Sequence, residues 1–255
     1  AIEAVTLTAG GDITGAKGAN NIVGEALTSG GTANVTGAVL MTALQHAGFT
    51  TFTATGGSDK ITLSGSGNVT AGAAIETYDL GDTGRTITLG ADSAQTIEGG
   101  SGTDILAVAG TTYTGTVSNI NTVTITTGGD IKGANSGAVT GATAATITGS
   151  VAMTAVQHNA LTITADGGSD QITLSGAGNV TAVAAIETYD LGDDGRTITL
   201  GADSAQTITG GSATDILAVN DTTYTGKVTA AIEAVTLTAG GDITGAKGAN
   251  NIVGE

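Results

Sequence analysis

A nine-residue stretch contains the residue types and the spacing that could hold a cation. Residues Gly99–Ala107 read GGSGTDILA and fit the pattern G-G-x-G-x-D-x-U-x, where U is a large apolar residue, at every fixed position. A second copy at Gly210–Ala218 has Ala213 in place of the third glycine. The chain has 23 acidic residues against seven basic ones, an excess that fits the binding of divalent cations. The alternative is a Gly-Gly turn whose aspartate only caps backbone N–H groups.

This nonapeptide resembles the calcium-binding repeat of RTX-type secreted bacterial proteins. In that family the glycines let the turn present carbonyl oxygens to Ca²⁺, and the aspartate supplies a carboxylate. The resemblance therefore implies a structural calcium site in each copy, although the family's repeats are consecutive and these two copies stand 111 residues apart. With the shorter Gly-Gly-Ser-Asp stretches included, the candidate metal-site residues are Gly99, Gly100, Gly102, Asp104, Gly210, Gly211, Asp215, Asp59 and Asp170.

The sequence consists of tandem repeats. Residues 74–108 return at 185–219 with only three differences, and residues 1–25 return unchanged at 231–255. A divergent middle copy of that opening segment starts at Val123. These copies predict repeat unit 1 at residues 1–118, repeat unit 2 at 119–230 and the start of a third unit at 231–255. We expect the array to continue in both directions.

The composition and the turn residues between short apolar runs predict an all-β fold. The chain has 43 glycines, no proline or tryptophan and 2% aromatic residues, so any core is thin and filled by small branched side chains. Short runs rich in Val, Ile and Thr, such as Thr86–Leu89, recur between Gly, Asn, Asp and Ser turns. We predict a parallel β-solenoid, similar to a β-helix or β-roll, built from units of about 112–118 residues. Tandem β-sandwich domains are the alternative. The strongest helical signal is Val39–His46.

Residues for catalysis are sparse, and we predict that the chain is not an enzyme. The two histidines, His46 and His158, occupy equivalent positions in different units, and no cysteine is present. The acids Glu76 and Asp79, with their counterparts in the second unit, could be a glycosidase pair. Because the chain has few aromatic platforms for sugars, we expect these acids to be solvated or to face cations.

Charge and hydropathy argue against two classes of partner. A net charge of −16 opposes binding to the phosphates of nucleic acid. No apolar run is long enough to span a bilayer, so we expect no membrane insertion.

The Thr/Gly/Ala style of the repeats resembles that of large repetitive bacterial surface proteins, including S-layer-like proteins and giant adhesins. The resemblance implies secretion to the cell surface or the extracellular space. We therefore expect a structural protein, a repeat segment of a self-assembling surface filament, S-layer or giant fibre. Its partner is itself, through head-to-tail solenoid continuity. Two alternatives are a calcium-stiffened spacer of a bacterial adhesin and an ice-binding solenoid that uses rows of Thr-x-Thr.

Overall fold

The computed structural model describes residues 4–7, 11–12, 31–132, 144–229, 232–238 and 240–248. These residues form short β-strands and two short helices. The strands are β1 (Ala4–Leu7), β2 (Gly11–Asp12), β3 (Gly31–Val35), β4 (Ala38–Thr42), β5 (Phe49–Ala54), β6 (Lys60–Ser64), β7 (Val69–Ala71), β8 (Thr77–Asp79), β9 (Thr86–Leu89), β10 (Thr96–Glu98), β11 (Ile105–Ala109), β12 (Thr116–Ser118), β13 (Thr122–Thr126), β14 (Ala144–Thr148), β15 (Ser150–Thr154), β16 (Thr162–Ala165), β17 (Gln171–Ser175), β18 (Val180–Ala182), β19 (Thr188–Asp190), β20 (Thr197–Leu200), β21 (Thr207–Thr209), β22 (Ile216–Val219), β23 (Lys227–Thr229), β24 (Ala234–Leu237) and β25 (Lys247–Gly248). The helices are α1 (Ala43–Gly48) and α2 (Ala155–Ala160).

The described residues fall into two compact units, one up to Thr124 and the other from Ile125 onward. In the first unit, β12, β10, β8, β6, β4 and β2 pair side by side in one parallel sheet, and β11, β9 and β7 pair in a second. Thr77 lies opposite Thr96, and Thr96 lies opposite Thr116. From β4 to β12 the spacing between aligned residues of successive strands varies from 17 residues (Lys60 to Thr77) to 22 residues (Ala38 to Lys60), and each coil adds one strand to this sheet. Strands β1, β3 and β5 form a further parallel sheet.

The second unit repeats this arrangement. One parallel sheet has the order β15, β17, β19, β21, β23 and β25, and another has the order β18, β20, β22 and β24. Strand β14 pairs with β16. The strand pairs of the described residues are parallel in both units, because each strand meets its equivalent one coil further along the chain.

The core consists of stacked rows of apolar side chains. Alternate residues of each strand face inward, and the parallel register places inward residues of successive coils directly over one another. These buried rows are Ile61, Tyr78, Ile97 and Val117 in the first unit and Ile172, Tyr189, Ile208 and Val228 in the second. β-Branched residues and Leu fill most of the interior, and all four tyrosines are buried with them.

The prediction of an all-β parallel solenoid is confirmed. The β-sandwich alternative was wrong, because sandwich sheets pair antiparallel strands and these sheets are parallel. The sequence left the number of strands per coil open, and in the coils from β6 to β11 one strand in each of two sheets sets it at two.

The segment with the strongest helical signal, Val39–His46, divides between a strand and a helix. Strand β4 ends at Thr42, whose hydroxyl accepts the N–H of Gln45 at 3.1 Å. The Thr42 N–H donates in turn to the Gln45 side chain at 2.7 Å, so a capping box starts α1. Helix α2 begins with the same box. No helix among the described residues has the length and apolarity needed to cross a membrane.

Candidate functional site: the stacked turns

Asp104 lies in the turn between β10 and β11 and links three successive coils. Its carboxylate is fully buried. Oδ1 accepts the backbone N–H of Arg85 at 3.1 Å, and Oδ2 accepts the backbone N–H of Gly100 at 2.9 Å. Its own N–H donates to Oδ1 of Asn121 in the following coil at 2.7 Å. The side chain thus binds the preceding coil and its own turn, while its backbone is held by the next coil.

Asp215 repeats this arrangement in the second unit. Its carboxylate accepts the Arg196 N–H at 2.9 Å and the Gly211 N–H at 2.7 Å, and its own N–H donates to Glu233 at 2.7 Å. Asp215 is also fully buried. Equivalent contacts in both units indicate that the aspartate of the nonapeptide has a structural role in holding the stacked coils together.

In the shorter Gly-Gly-Ser-Asp turns the aspartate side chain accepts one backbone N–H group from the preceding coil and none from its own turn. Oδ1 of Asp59 accepts the Gly37 N–H, and Oδ1 of Asp170 accepts the Gly149 N–H at 2.6 Å. Both aspartates are 1% exposed, and their Oδ2 atoms have no hydrogen-bond partner among the described residues. Their turns are two residues shorter than the nonapeptide turns, so no N–H group corresponds to that of Gly100.

The glycines of the nonapeptide sit where neighbouring coils approach most closely. A Cβ atom on Gly99 would overlap the carbonyl oxygen of Asn119, and one on Gly100 would overlap that of Gly81. A Cβ atom on Gly102 would overlap the backbone of Gly84. These glycines are therefore required by the contact between coils, whether or not a metal binds.

The second unit accommodates Ala213 at the position of Gly102 by changing the adjacent turn. Opposite Gly102, Gly84 has no positive φ, whereas its counterpart Gly195 has φ +63°. At Gly211 the close approach is retained, since a Cβ atom there would overlap the carbonyl oxygen of Gly192. Gly210 precedes it in the same turn.

The calcium site remains a prediction. The nonapeptide carboxylates, Asp104 and Asp215, already accept two backbone N–H groups each, and a cation would compete with these donors for the same oxygens. Within the described part of the chain, no group of three or more His, Cys, Asp or Glu side chains is placed to hold a metal ion. The geometry instead shows what we call a hydrogen-bonded staple: the set of hydrogen bonds by which each nonapeptide aspartate connects neighbouring coils.

The acids considered for sugar chemistry contact neighbouring coils. Oε2 of Glu76 accepts the Asp59 N–H at 2.8 Å. Asp79 lies on the outer face of its sheet, 3.1 Å from the ammonium group of Lys60, which also contacts Glu98 at 2.6 Å. The outer rows of this sheet therefore mix threonines with charged side chains in the aligned positions of successive coils.

Sequence reasoning missed a buried histidine–tyrosine pair that occurs in both units. His46 Nε2 lies 3.0 Å from the Tyr78 hydroxyl, and that hydroxyl accepts the Gly72 N–H at 2.8 Å. The hydroxyl therefore contacts both the Gly72 N–H and the imidazole, and the imidazole tautomer decides whether the hydroxyl or Nε2 donates the hydrogen bond between them. His158 and Tyr189 repeat the pair at 3.0 Å. The available signal was the recurrence of both residue types at matching positions in the two units.

Burial sets the protonation state of these histidines. It lowers the pKa of His46 from 6.5 to about 3, with a smaller contribution from the positive charge of Arg85, and it also lowers the pKa of His158. Both imidazoles are neutral in the folded chain at neutral pH. A cavity of about 300 Å³ beside α1 is lined by His46, Phe49, Asn68, Thr70 and Thr88, among others, and none of its lining side chains carries a formal charge.

We expect the fold to lose stability as the pH falls below 6.5. The unfolded chain binds protons at its histidines below their ordinary pKa of 6.5, whereas folded His46 stays neutral down to about pH 3. The free energy of unfolding should therefore fall by about 1.4 kcal/mol per pH unit from His46 within this window. The lowered pKa of His158 acts in the same direction. Urea unfolding between about pH 7.5 and about pH 5 measures the slope, above the range where most carboxylates titrate.

The matched control for this pH dependence replaces both histidines. A variant with His46→Gln and His158→Gln keeps an amide beside each tyrosine hydroxyl that can donate or accept a hydrogen bond, and it contains no histidine. We expect its slope over the same pH range to be close to zero. An unchanged slope in the variant would assign the effect to other groups.

The fold and these turns define a tandem-repeat parallel β-solenoid whose buried polar side chains fasten each coil to its neighbours. No protein-family model, no curated protein and no solved structure matches this chain.

Proposed function

We propose that this chain is a structural repeat segment of an extracellular surface filament, S-layer or giant fibre, in which coils stack head to tail. The supporting observation is that the strand pairing and the buried aspartates act along one direction, from each coil to the next. Such a stack has open ends that are stabilised when a further coil pairs with them.

The repeated segments in the sequence support the association of one stack of coils with another. Residues 231–255 are identical to residues 1–25, so the same coil sequence recurs within the array. The partner that best fits the strand edges is the same repeat array, because its coils carry matching strand sequences. In this proposal the buried polar contacts are mechanical: they resist separation of coils.

Calcium, if it binds the nonapeptide turns, would stiffen the stack by neutralising part of the acidic charge. Its ligands would come from the turns that contain Asp104 and Asp215. The cation belongs to the proposal as a structural component.

Electron microscopy of the purified chain in millimolar calcium, beside a chelated sample, tests the function. Fibres in both samples would support the filament and reduce the Gly-Gly turns to staples between coils. Fibres that dissolve on chelation would support a filament assembled by calcium. Short isolated particles in both samples would count against self-assembly and favour a spacer within a longer chain.

A further inference from the structure

Helix α1 interrupts the stacking of parallel strands in the first unit. Strand β5 is the edge strand of the sheet that it forms with β1 and β3, and β7 is the edge strand of the sheet that contains β9. Among the described residues, no strand pairing joins β5 to β7. The two strands still approach each other at one end, because a Cβ atom on Gly72 would lie 2.8 Å from the Phe52 side chain. The gap between them therefore lies toward their starts, where α1 leads into β5.

The cavity of about 300 Å³ beside α1 occupies this gap. Its walls come from the end of α1, the starts of β5 and β7, and one residue of β9. The lining residues include His46, Ala47, Phe49, Asn68, Thr70 and Thr88. The volume lies at the lower end of the range of about 300–1,000 Å³ that is typical of small-molecule sites, so the cavity suits one small ring.

The second unit bridges the corresponding gap with an asparagine. Nδ2 of Asn159, in α2, donates to the carbonyl oxygen of Asn179 at 2.7 Å and so connects the helix to the residue before β18. The counterparts of these residues in the first unit are Ala47 and Asn68. A methyl group cannot make this bridge. The open gap beside α1 therefore depends on a residue that differs between the two units.

Aromatic side chains form one wall of the cavity. Both phenylalanines of the chain are found here, and the ring centroid of Phe49 lies 5.7 Å from that of Phe52. The Phe52 ring stacks in turn on the His46 imidazole, with centroids 4.3 Å apart. The second unit has Leu161 and Ile163 at the matching positions. Only the first of these two sites thus offers an aromatic surface to the C–H groups of a ligand.

Polar side chains line the cavity on the side of β7 and β9. Oδ1 of Asn68 accepts the Thr86 N–H at 2.9 Å, which fixes the amide and leaves its NH₂ group as a donor. Thr70 lies opposite Thr88 in the pair of β7 with β9, and each hydroxyl can both donate and accept. The facing edges of β5 and β7 add backbone groups that strand pairing among the described residues does not use.

The charge of the site restricts the ligand. No lining side chain carries a formal charge, since burial keeps His46 neutral at neutral pH. A charged ligand would lose hydration without gaining an opposite charge in return. The net charge of −16 also repels anions. The cavity therefore favours an uncharged ligand that has an apolar face and several hydrogen-bonding groups.

We propose that this cavity binds one uncharged pyranose ring of a carbohydrate. The C–H face of the ring would pack on Phe49, and the ring hydroxyls would bond with Asn68, Thr70 and Thr88. A pyranose combines in one small ring the apolar and polar features that the lining presents. The site is separate from the contacts between aspartates and neighbouring coils, and it does not depend on the proposed filament.

NMR titration of the isotope-labelled full-length chain tests the site. The probes are the methyl glycosides of glucose, galactose and mannose. We expect the amide signals of Thr70 and Thr88 to shift with at least one of these sugars, with a dissociation constant on the order of 1 mM. The amides of Thr181 and Thr199, which form the matching pair in the second unit, provide an internal control and should not shift.

Two substitutions in α1 each introduce the residue that α2 has at that position. Ala47→Asn supplies the bridging asparagine, so it should close the cavity and weaken binding about tenfold or more. Leu44→Val changes a residue that is 42% exposed and lies outside the lining to its counterpart, and it should leave binding unchanged. Both positions are exposed, so we expect both variants to fold, and unchanged amide signals of the second unit verify this. Equal effects of the two substitutions would overturn the site.

Two further probes test the class of ligand. The methyl glycoside of glucuronic acid adds a carboxylate to the same ring and should bind about tenfold more weakly or worse. Equal binding would overturn the restriction to uncharged ligands. Cyclohexanol keeps a six-membered ring but has one hydroxyl, and tighter binding of cyclohexanol than of every sugar would overturn the carbohydrate assignment. The absence of shifts with all the uncharged glycosides at about 50 mM would overturn the site itself.

Discussion

Replacing Gly100 with alanine is expected to lower the free energy of unfolding by about 3 kcal/mol, at the upper end of typical overpacking effects. The new methyl group would overlap the carbonyl oxygen of Gly81, which belongs to the backbone of the preceding coil. A backbone atom cannot rotate away as a flexible side chain can, so the coils must separate. Separation weakens the parallel ladder between β8 and β10, which lie on either side of this contact.

The matched control is Gly57→Ala, in the shorter Gly-Gly-Ser turn of the same unit. A Cβ atom on Gly57 meets nothing within 4 Å, and its φ is not positive. We expect this variant to be neutral or more stable by up to about 1 kcal/mol, because alanine reduces the freedom of the unfolded chain. Chemical unfolding of both variants, monitored by circular dichroism, measures the difference. Equal effects of the two substitutions would show that coil contact does not explain the glycines of the nonapeptide.

Replacing Asp104 with asparagine is expected to destabilise the fold by about 3 kcal/mol, because a buried charge-assisted hydrogen bond contributes about 1.5–3 kcal/mol. The carboxylate accepts N–H groups from Arg85 and Gly100, and an amide can satisfy only one of them. The amide NH₂ group would face the other donor in a site with no access to water. The buried guanidinium of Arg85 would also lose a favourable charge, since Asp104 raises the pKa that burial lowers.

Asp82→Asn is the control for this substitution. Asp82 is exposed and accepts from the backbone N–H and the hydroxyl of Ser101 at 3.3 and 3.1 Å, and an amide oxygen can replace it there. We expect a change within about 0.5 kcal/mol, as for most surface substitutions. Unfolding is measured for wild type and both variants in calcium and in chelator. A loss in Asp104→Asn that is the same in both solutions supports the hydrogen-bonded staple, whereas a loss that appears only in calcium would support the predicted ligand role.

These substitutions illustrate how much of the candidate site the sequence revealed. The nonapeptide pattern selected the residues that join coils, including Asp104, Asp215 and the close-packed Gly100 and Gly211. It did so because a glycine-rich turn with one aspartate is suited both to metal binding and to tight backbone contact. Only the three-dimensional arrangement shows which N–H groups the carboxylates accept, since Arg85 lies 19 residues away from Asp104.

The buried histidines show the limit of sequence reasoning more clearly. His46 and Tyr78 are 32 residues apart in the sequence, and no local sequence pattern connects them. Their contact depends on α1 being inserted between β4 and β5, which turns the imidazole toward the next coils. A pair determined by coil register is invisible until the register is known.

The sequence by itself determined the all-β class, the tandem repeats and the small-residue core of this protein. Composition, the alternation of apolar and polar residues and the repeated segments are local properties, and they constrain which secondary structure can form. Tertiary structure alone decided that each coil has two strands, which residues are aligned between coils and which backbone N–H groups the buried aspartates accept. These features depend on hydrogen bonds between residues about one coil apart, and such pairing energies are set by the register of the whole stack.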